Sequence, residues 1–169
     1  MADSFDAIPN GSNLLIDTNV FVYALTAQSA QCKALLERCS NEEVFGITLF
    51  EVIHETTHVF MKGEASAKGL CPPKKAAGYL ANHPEQVRLL TDYWVNTQRL
   101  LALNIVFLPM EQDIVVRAQT ERVNAGLLTN DSIIVAAMRE YGISRIATND
   151  RQFNTVAGIS VFSPTDVVV

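Results

Sequence analysis

The chain has 169 residues, of which 49% are hydrophobic and 18% are charged. This length fits one domain, and the composition is that of a folded globular protein, which excludes a disordered chain. The net charge of −5 excludes a protein that coats nucleic acid through a broad basic surface, but not an enzyme whose bound cations meet the nucleic acid. The sequence has no apolar run that could span a bilayer, and residues 1–12 lack the apolar core of a signal peptide, so a cytoplasmic protein is expected.

The first half of the chain predicts two strands and three helices. Leu14, Leu15 and Ile16 are typical of a short buried strand, and the apolar residues that follow predict a helix over 18–26. A second helix is predicted over 30–39, a strand over 44–47, and a third helix that continues to about residue 61. Glycine and proline then predict a loop over 63–75, within an insertion that covers residues 63–83.

The second half continues the alternation of helices and strands. Pro84 is expected to begin a helix that ends near residue 103. Helices are also predicted over 109–126 and 129–142, and strands over 105–108, 145–148 and 159–162. Strands that alternate with helices predict a single domain over residues 1–169 with a three-layer α/β/α fold and a mainly parallel central sheet.

Four carboxylates lie where strands end or helices begin. Asp17 and Asp150 directly follow predicted strands, while Glu51 and Asp131 lie in the first turns of predicted helices. Parallel strands end at one edge of a sheet, which is where α/β proteins bind ligands. Each acid also has a simpler interpretation as a helix cap, a partner of the helix dipole or a turn residue. For Glu51 that interpretation is a T-x-x-E capping box with Thr48.

A cluster of these acids would favour divalent cations. Carboxylates that lie close together repel one another, and their ionised forms are tolerated only with cations between them. Ligands that consist of oxygen alone suit Mg²⁺ or Mn²⁺ better than zinc. Such a site can activate a water molecule and stabilise an in-line displacement at phosphorus without a histidine base.

Four segments carry a resemblance to a known family. They are LIDTNV at residues 15–20, Glu51 after the second strand, ND at 130–131 ahead of an IIVAA helix, and ATNDRQF at 147–153. In this order the segments resemble the PIN-domain ribonucleases, and among them the VapC-like toxins of toxin–antitoxin pairs. The resemblance covers about residues 14–164.

The resemblance implies a metal-dependent endoribonuclease that cuts single-stranded RNA. The residues it implies as ligands of Mg²⁺ or Mn²⁺ are Asp17, Glu51, Asp131 and Asp150. The residues it implies as orienting these acids or contacting the RNA are Thr18, Asn19, Thr148 and Asn149. It also implies a cognate antitoxin as a partner and a homodimer.

Two other interpretations of the sequence stay open. Residues 54–58 read H-E-T-T-H and match the H-E-x-x-H helix of zinc metalloproteases, in which His54 and His58 bind zinc and Glu55 is the base. That site needs a third ligand, and His83 is the remaining histidine. If the chain is instead a nuclease, His54, Glu55 and His58 lie on the same side of the helix as Glu51 and could assist the acidic site. The other interpretation is a PIN scaffold that binds but does not catalyse.

Overall fold

A six-stranded parallel sheet organises the protein, as seen in a computed structural model that describes residues 2–167. The strands are β1 (Asp3–Ser4), β2 (Asn13–Ile16), β3 (Phe45–Leu49), β4 (Val106–Leu108), β5 (Arg145–Ala147) and β6 (Ser160–Ser163). Their order in the sheet is β1-β6-β5-β2-β3-β4, and every pairing is parallel. The prediction of a three-layer α/β/α fold with a mainly parallel sheet is therefore confirmed.

Eight α-helices connect and flank the strands. They are α1 (Thr18–Leu25), α2 (Ala30–Ser40), α3 (Phe50–Ala67), α4 (Ala76–Asn82), α5 (Pro84–Val87), α6 (Asp92–Leu101), α7 (Gln112–Ala125) and α8 (Thr129–Glu140) in the described chain. Gly126 ends α7 with a φ of 69°, a left-handed conformation that glycine adopts without strain. No helix among the described residues is long and apolar enough to cross a membrane.

The strand order places a ligand crevice next to β2. From β2 the chain moves outward to β3 and β4 on one side, and it returns to β5 and β6 on the other. In open α/β sheets, ligands bind at the carboxyl ends of the strands where the order reverses in this way. Ile16 pairs with Ala147 across β2 and β5, so the residues that follow them, Asp17 and Thr148, leave the sheet side by side.

Close packing around β2 fixes this edge. Leu14, Leu15 and Ile16 are fully buried, as expected for a parallel strand that is covered on both faces. A side chain at Gly46 in β3 would place its Cβ 3.0 Å from the Cys39 sulfur and 3.1 Å from Ile16 Cδ1. The glycine therefore allows α2 to pack directly on the sheet.

The predicted loop over 63–75 and the insertion over 63–83 are mostly helical, so this prediction was wrong. Helix α3 continues through Gly63 to Ala67, residues 73–75 form a 3₁₀ turn, and α4 follows. The segment is ordered because Ala65, Leu80 and Leu90 form a small second core. A single glycine in a helix costs only about 1 kcal/mol relative to alanine, which this packing outweighs.

Three further boundaries differ from the predictions. The single helix expected from Pro84 to residue 103 is two helices, α5 and α6, separated at residues 88–91. The capping box is absent, since Leu49 occupies the N-cap of α3 and the Thr48 hydroxyl donates to the Ile16 carbonyl at 2.9 Å. Strand β1 was not predicted; it pairs with β6, and Arg38 donates to the carbonyls of the adjoining turn.

Candidate active site

Asp17 is held in place from two directions at the carboxyl end of β2. Its side chain caps α1, where Oδ1 accepts a hydrogen bond from the Thr18 backbone at 2.7 Å. Its Oδ2 accepts from the Thr148 hydroxyl at 2.6 Å and from Asn19 Nδ2 at 2.6 Å. The helix-cap interpretation is therefore correct for one oxygen, and the second oxygen is oriented by the residue that follows the neighbouring strand. Only 7% of the residue is exposed.

Thr148 connects Asp17 to the turn after β5. This fully buried residue accepts hydrogen bonds at its hydroxyl from Asn19 Nδ2 and from the Asp150 backbone, both at 3.0 Å. Asn19 Oδ1 accepts from the Asn149 backbone at 2.8 Å. The geometry supports an orienting role for Thr148 and Asn19, while the burial of Thr148 leaves it no surface for a substrate.

An open cleft of about 510 Å³ lies over these residues. Its walls are the start of α1, the turn after β5, the start of α8, and α3. The residues that line it are Asp17, Thr18, Asn19, Glu55, Leu128, Thr129, Asn130, Asp131 and Asp150. The structure thus brings together three of the four predicted acids, and it adds Glu55. Asp150 also caps the following 3₁₀ turn by accepting from the Gln152 backbone at 2.8 Å.

Glu51 is placed differently from the other predicted acids. It lies one helical turn before Glu55 and is not among the residues that line the cleft. Its Oε2 is buried and has no hydrogen-bond partner among the described residues. The sequence placed Glu55 on the same side of the helix as Glu51, where it could assist the acidic site, but it did not predict Glu55 as one of the acids of the cleft. The signal was its i,i+4 spacing from Glu51, which puts both residues on one side of the helix.

The cleft is electrostatically unfavourable for its own acids. Burial raises the pKa of Asp17 to about 6, against hydrogen bonds that lower it, and the charges of Glu55 and Asp131 raise it further. Burial also raises the pKa of Asp131, with additional repulsion from Asp150 and Glu55. The negative charges of Glu55, Asp131 and Asp150 thus disfavour ionisation of their neighbours in the cleft, where a positive charge would be stabilised.

The donor set fits a hydrated divalent cation. Thr18 Oγ1 is buried in the cleft wall and has no hydrogen-bond partner among residues 2–167. Glu51 Oε2, which does not line the cleft, is also buried without a partner in the described chain. Unpaired buried oxygens are costly and are commonly satisfied by water or an ion. Within the described residues, no three His, Cys, Asp or Glu side chains form a ready metal cage. The carboxylates that line the cleft are oxygen donors of the kind that hard divalent cations prefer.

The zinc-protease interpretation lacks its third ligand. His54 and His58 are exposed on α3 and do not line the cleft. His83 stacks on Tyr79 with ring centroids 4.1 Å apart, and its Nδ1 lies 2.8 Å from the Tyr79 carbonyl. Across the described part of the chain, no group of three potential ligands includes these histidines. The H-E-x-x-H match therefore has no structural support.

Comparison with known proteins identifies the family of the chain. The family model of the PIN domain matches residues 14–159. The chain belongs to the PIN domain family. Ribonuclease VapC6 of Methanocaldococcus jannaschii is 30% identical over 159 residues, which cover 89% of this chain and 96% of the relative.

Solved structures share the PIN fold at lower identity. VapBC2 from Rickettsia felis, bound to a DNA fragment from its promoter, matches with a TM-score of 0.57 at 14% identity and covers 90% of this chain and 98% of that chain. A toxin–antitoxin complex from Klebsiella pneumoniae matches with a TM-score of 0.56 at 19% identity and covers 91% and 99%. At these identities the likeness shows the fold.

Proposed function

We propose that this PIN-domain protein is an endoribonuclease that hydrolyses single-stranded RNA with Mg²⁺ or Mn²⁺. The observation that carries the proposal is the meeting of Asp17, Asp131 and Asp150 with Glu55 in one cleft at the switch point of the sheet. The 30% identity to a protein named as a ribonuclease supports the substrate class.

The residues of the chain divide into groups with different roles. Asp17, Asp131 and Asp150, which line the cleft, would hold the cation together with Glu51, whose buried Oε2 lacks a partner. Glu55 would add negative charge beside the cation, and Thr18 Oγ1 is a further buried oxygen that needs a partner. A cation bound there would supply an activated water and neutralise charge on the leaving oxygen. Thr148 and Asn19 hold Asp17 in one orientation.

Substrate contacts are proposed for three polar residues that line or adjoin the cleft. Thr18 and Asn19 line the cleft, and Asn149 lies beside it. The side chain of Leu128, which is 69% exposed, gives the same cleft an apolar wall against which a base or ribose can pack. The roles of Thr18, Asn19 and Asn149 in substrate binding stay predictions.

We further propose that the protein is the toxin of a toxin–antitoxin pair and is inhibited by a cognate antitoxin. The solved structures that share its fold include toxin–antitoxin complexes, which supports this proposal. We expect expression of the wild type to arrest growth and expression of Asp131→Asn to leave growth unaffected. The product of an adjacent gene should relieve the arrest. A homodimer and a cytoplasmic location remain predictions.

RNA cleavage by matched variants tests the reaction class. A labelled single-stranded RNA is incubated with the wild type, Asp131→Asn or Asp113→Asn, in Mg²⁺, Mn²⁺, Zn²⁺ or EDTA. Asp113 is the matched control because it lies in the first turn of α7, outside the cleft. We expect cleavage by the wild type and Asp113→Asn in Mg²⁺ or Mn²⁺, and none by Asp131→Asn.

Two results would reject the assignment. Full activity of Asp131→Asn in saturating Mg²⁺ would remove Asp131 from the site. Cation binding without cleavage of any RNA tested would instead favour the PIN scaffold that binds without catalysis. Replacing His54 and His58 by alanine is expected to leave cleavage intact, in contrast to the zinc-protease interpretation.

A further inference from the structure

The acidic cleft continues into a shallow groove on one side. The groove is lined by Asn19, Tyr23, Asn149, Asp150 and Arg151, and it shares Asn19 and Asp150 with the cleft. An extended polymer that enters the cleft can therefore continue along the groove and stay in contact with the protein. The groove begins where the turn after β5 meets α1.

The charges along this path change sign. The cleft is lined by Asp17, Glu55, Asp131 and Asp150, and no lining residue carries a positive charge. Arg151 supplies the one positive charge among the described residues that line the cleft or the groove. A polyanion is repelled by the cleft wherever a cation does not screen it, so attraction along this path is concentrated at Arg151.

The Arg151 side chain is free to bind. It is exposed, and its guanidinium makes no hydrogen bond or ion pair within residues 2–167. By contrast, Arg139 and Arg117 are paired with Glu121 and Glu140. A planar guanidinium with unused donors matches the geometry of a phosphate group, which it can bind through two hydrogen bonds.

The neighbouring backbone holds this arginine next to the site. Asp150 donates its backbone N–H to Thr148 and caps the 3₁₀ turn that begins at Arg151. Asn149 is fixed through its backbone N–H to Asn19, and its side-chain Nδ2 lies 3.5 Å from the Tyr23 hydroxyl. The segment that carries Arg151 is therefore tied directly to the hydrogen-bond network of Asp17.

We propose that Arg151 binds a phosphate of single-stranded RNA adjacent to the phosphate that is cut, so that the strand runs from the acidic cleft over Asn149 to Arg151. The proposal rests on the proposed function and adds the path of the substrate and the residue that anchors it. Arg151 positions the RNA and does not take part in bond cleavage. Its loss should therefore weaken RNA binding more than it slows cleavage of bound RNA.

The test is RNA binding by fluorescence anisotropy with a short fluorescein-labelled single-stranded RNA of mixed sequence in Mg²⁺. The proteins carry Asp131→Asn to prevent turnover, alone or with Arg151→Gln, Arg151→Lys or Arg88→Gln. Arg88 is the matched control because it is an exposed arginine that does not line the cleft or the groove. Affinity is measured over a series of salt concentrations.

We expect Arg151→Gln to weaken binding about fivefold to tenfold at low salt and to lower the slope of log affinity against log salt by roughly 0.7, as for one lost phosphate contact on a single strand. Arg151→Lys should keep the slope because it keeps the charge. In the active background, Arg151→Gln should raise KM with little change in kcat. Arg88→Gln should match the parent protein.

Identical binding by Arg151→Gln and Arg88→Gln would overturn the proposal, even if the wild type cleaves RNA in Mg²⁺. A wild type that neither binds nor cleaves the RNA would instead overturn the proposed function on which the proposal rests. The two failures are distinguishable because binding is measured without turnover and cleavage is measured separately.

Discussion

The buried carboxyl group of Asp17 makes the stability of the cation-free protein depend on pH. Its pKa in the folded state is about 6, above the ordinary value of 3.8. Between these values the folded state binds more protons than the unfolded state, so stability falls as pH rises through this window. The difference corresponds to roughly 3 kcal/mol at most, since one pKa unit is about 1.4 kcal/mol.

Asp17→Asn should remove this part of the pH dependence. In EDTA we expect the variant to gain stability relative to the wild type as pH rises from 3.8 to about 6, and to keep that gain at higher pH. The gain is reduced because an amide has only one accepting oxygen. Its NH2 group must face either the Thr18 backbone N–H or the donors on Thr148 and Asn19. Urea unfolding across this pH range measures the difference, and parallel curves for the two proteins would contradict it.

The hydroxyl of Thr148 is expected to matter for activity beyond its effect on stability. Thr148→Val keeps the shape but removes the donor to Asp17 Oδ2 and the acceptor for Asn19 and Asp150. Groups that orient the ligands of a metal typically contribute about 10–100-fold to affinity or activity. We expect a loss of cleavage in this range, measured as kcat/KM on labelled RNA in saturating Mg²⁺.

Thr56→Val provides the matched control for Thr148→Val. Thr56 is fully buried, and its hydroxyl donates at 2.7 Å to the Val52 carbonyl within α3. Thr56→Val should lower the free energy of unfolding by about 1 kcal/mol through the lost hydrogen bond, as Thr148→Val does. It should leave kcat/KM unchanged. If both variants lose activity equally, the effect of Thr148 is general destabilisation and not orientation of Asp17.

The two acids on α3 should differ in their effects on cation binding. Glu55 lines the cleft, whereas the buried Oε2 of Glu51 lacks a partner. We expect Glu55→Gln to raise the Mg²⁺ concentration for half-maximal cleavage about tenfold, which corresponds to about 1.4 kcal/mol. Glu51→Gln should abolish cleavage. Calorimetry with Mn²⁺ gives an independent reading, and Glu85→Gln is the control for loss of one exposed charge. If Glu55→Gln needs the same Mg²⁺ concentration for half-maximal cleavage as the wild type, this prediction is wrong.

At the scale of elements, Glu64 of α3 supplies the missing cap of α6. Burial raises the pKa of Glu64, but hydrogen bonds from Lys68 and from the backbones of Tyr93 and Thr91 outweigh it, so the pKa falls to about 2. The backbone N–H groups of Thr91 and Tyr93 donate to its two oxygens at 2.8 Å each. The side chain of Thr91, the N-cap residue of α6, makes no capping hydrogen bond.

Glu64→Gln should therefore destabilise the protein at neutral pH, because one acceptor becomes a donor that faces a backbone N–H. We expect a loss of about 2–3 kcal/mol, measured by urea unfolding. The lowered pKa of Glu64 adds to the free energy of unfolding at pH values above the ordinary pKa of 4.5, and this addition is lost as the pH falls toward 2. Lys68→Met should cost less, since that side chain is 40% exposed. Equal stability of wild type and Glu64→Gln at neutral pH would show that α6 does not depend on this cap.

The elements that could be predicted from sequence are those that local patterns determine. The apolar run of β2 followed by Asp17, and the left-handed Gly126 at the end of α7, are signals within a few residues. The break between α5 and α6 depends on Glu64, which is 27 residues before Thr91, and no local pattern reports it. Likewise, the choice between Glu51 and Glu55 as the cleft acid depends on how α3 crosses the sheet, since both share one side of the helix.

At the scale of the whole molecule, the parallel sheet gathers negative charge at one edge of a protein that is already acidic. The net charge is −5, and four of its acids line or adjoin a single cleft. Their mutual repulsion opposes folding in the absence of a cation, because the unfolded chain separates them. A divalent cation that binds only the folded state reverses this effect.

Thermal unfolding should therefore depend on divalent cations through the acids of the cleft. We expect Mg²⁺ to raise the Tm of the wild type, since a ligand at 100 times its Kd stabilises the folded state by about 2.7 kcal/mol. In EDTA, Asp131→Asn should unfold at a higher temperature than the wild type because one repelling charge is gone, and Mg²⁺ should raise its Tm much less. The order of the two proteins should thus invert between EDTA and Mg²⁺. A general salt effect would raise the Tm of the wild type, Asp131→Asn and the control variant Asp113→Asn alike. An equal rise of Tm in all three proteins would therefore mean that the cleft does not bind the cation.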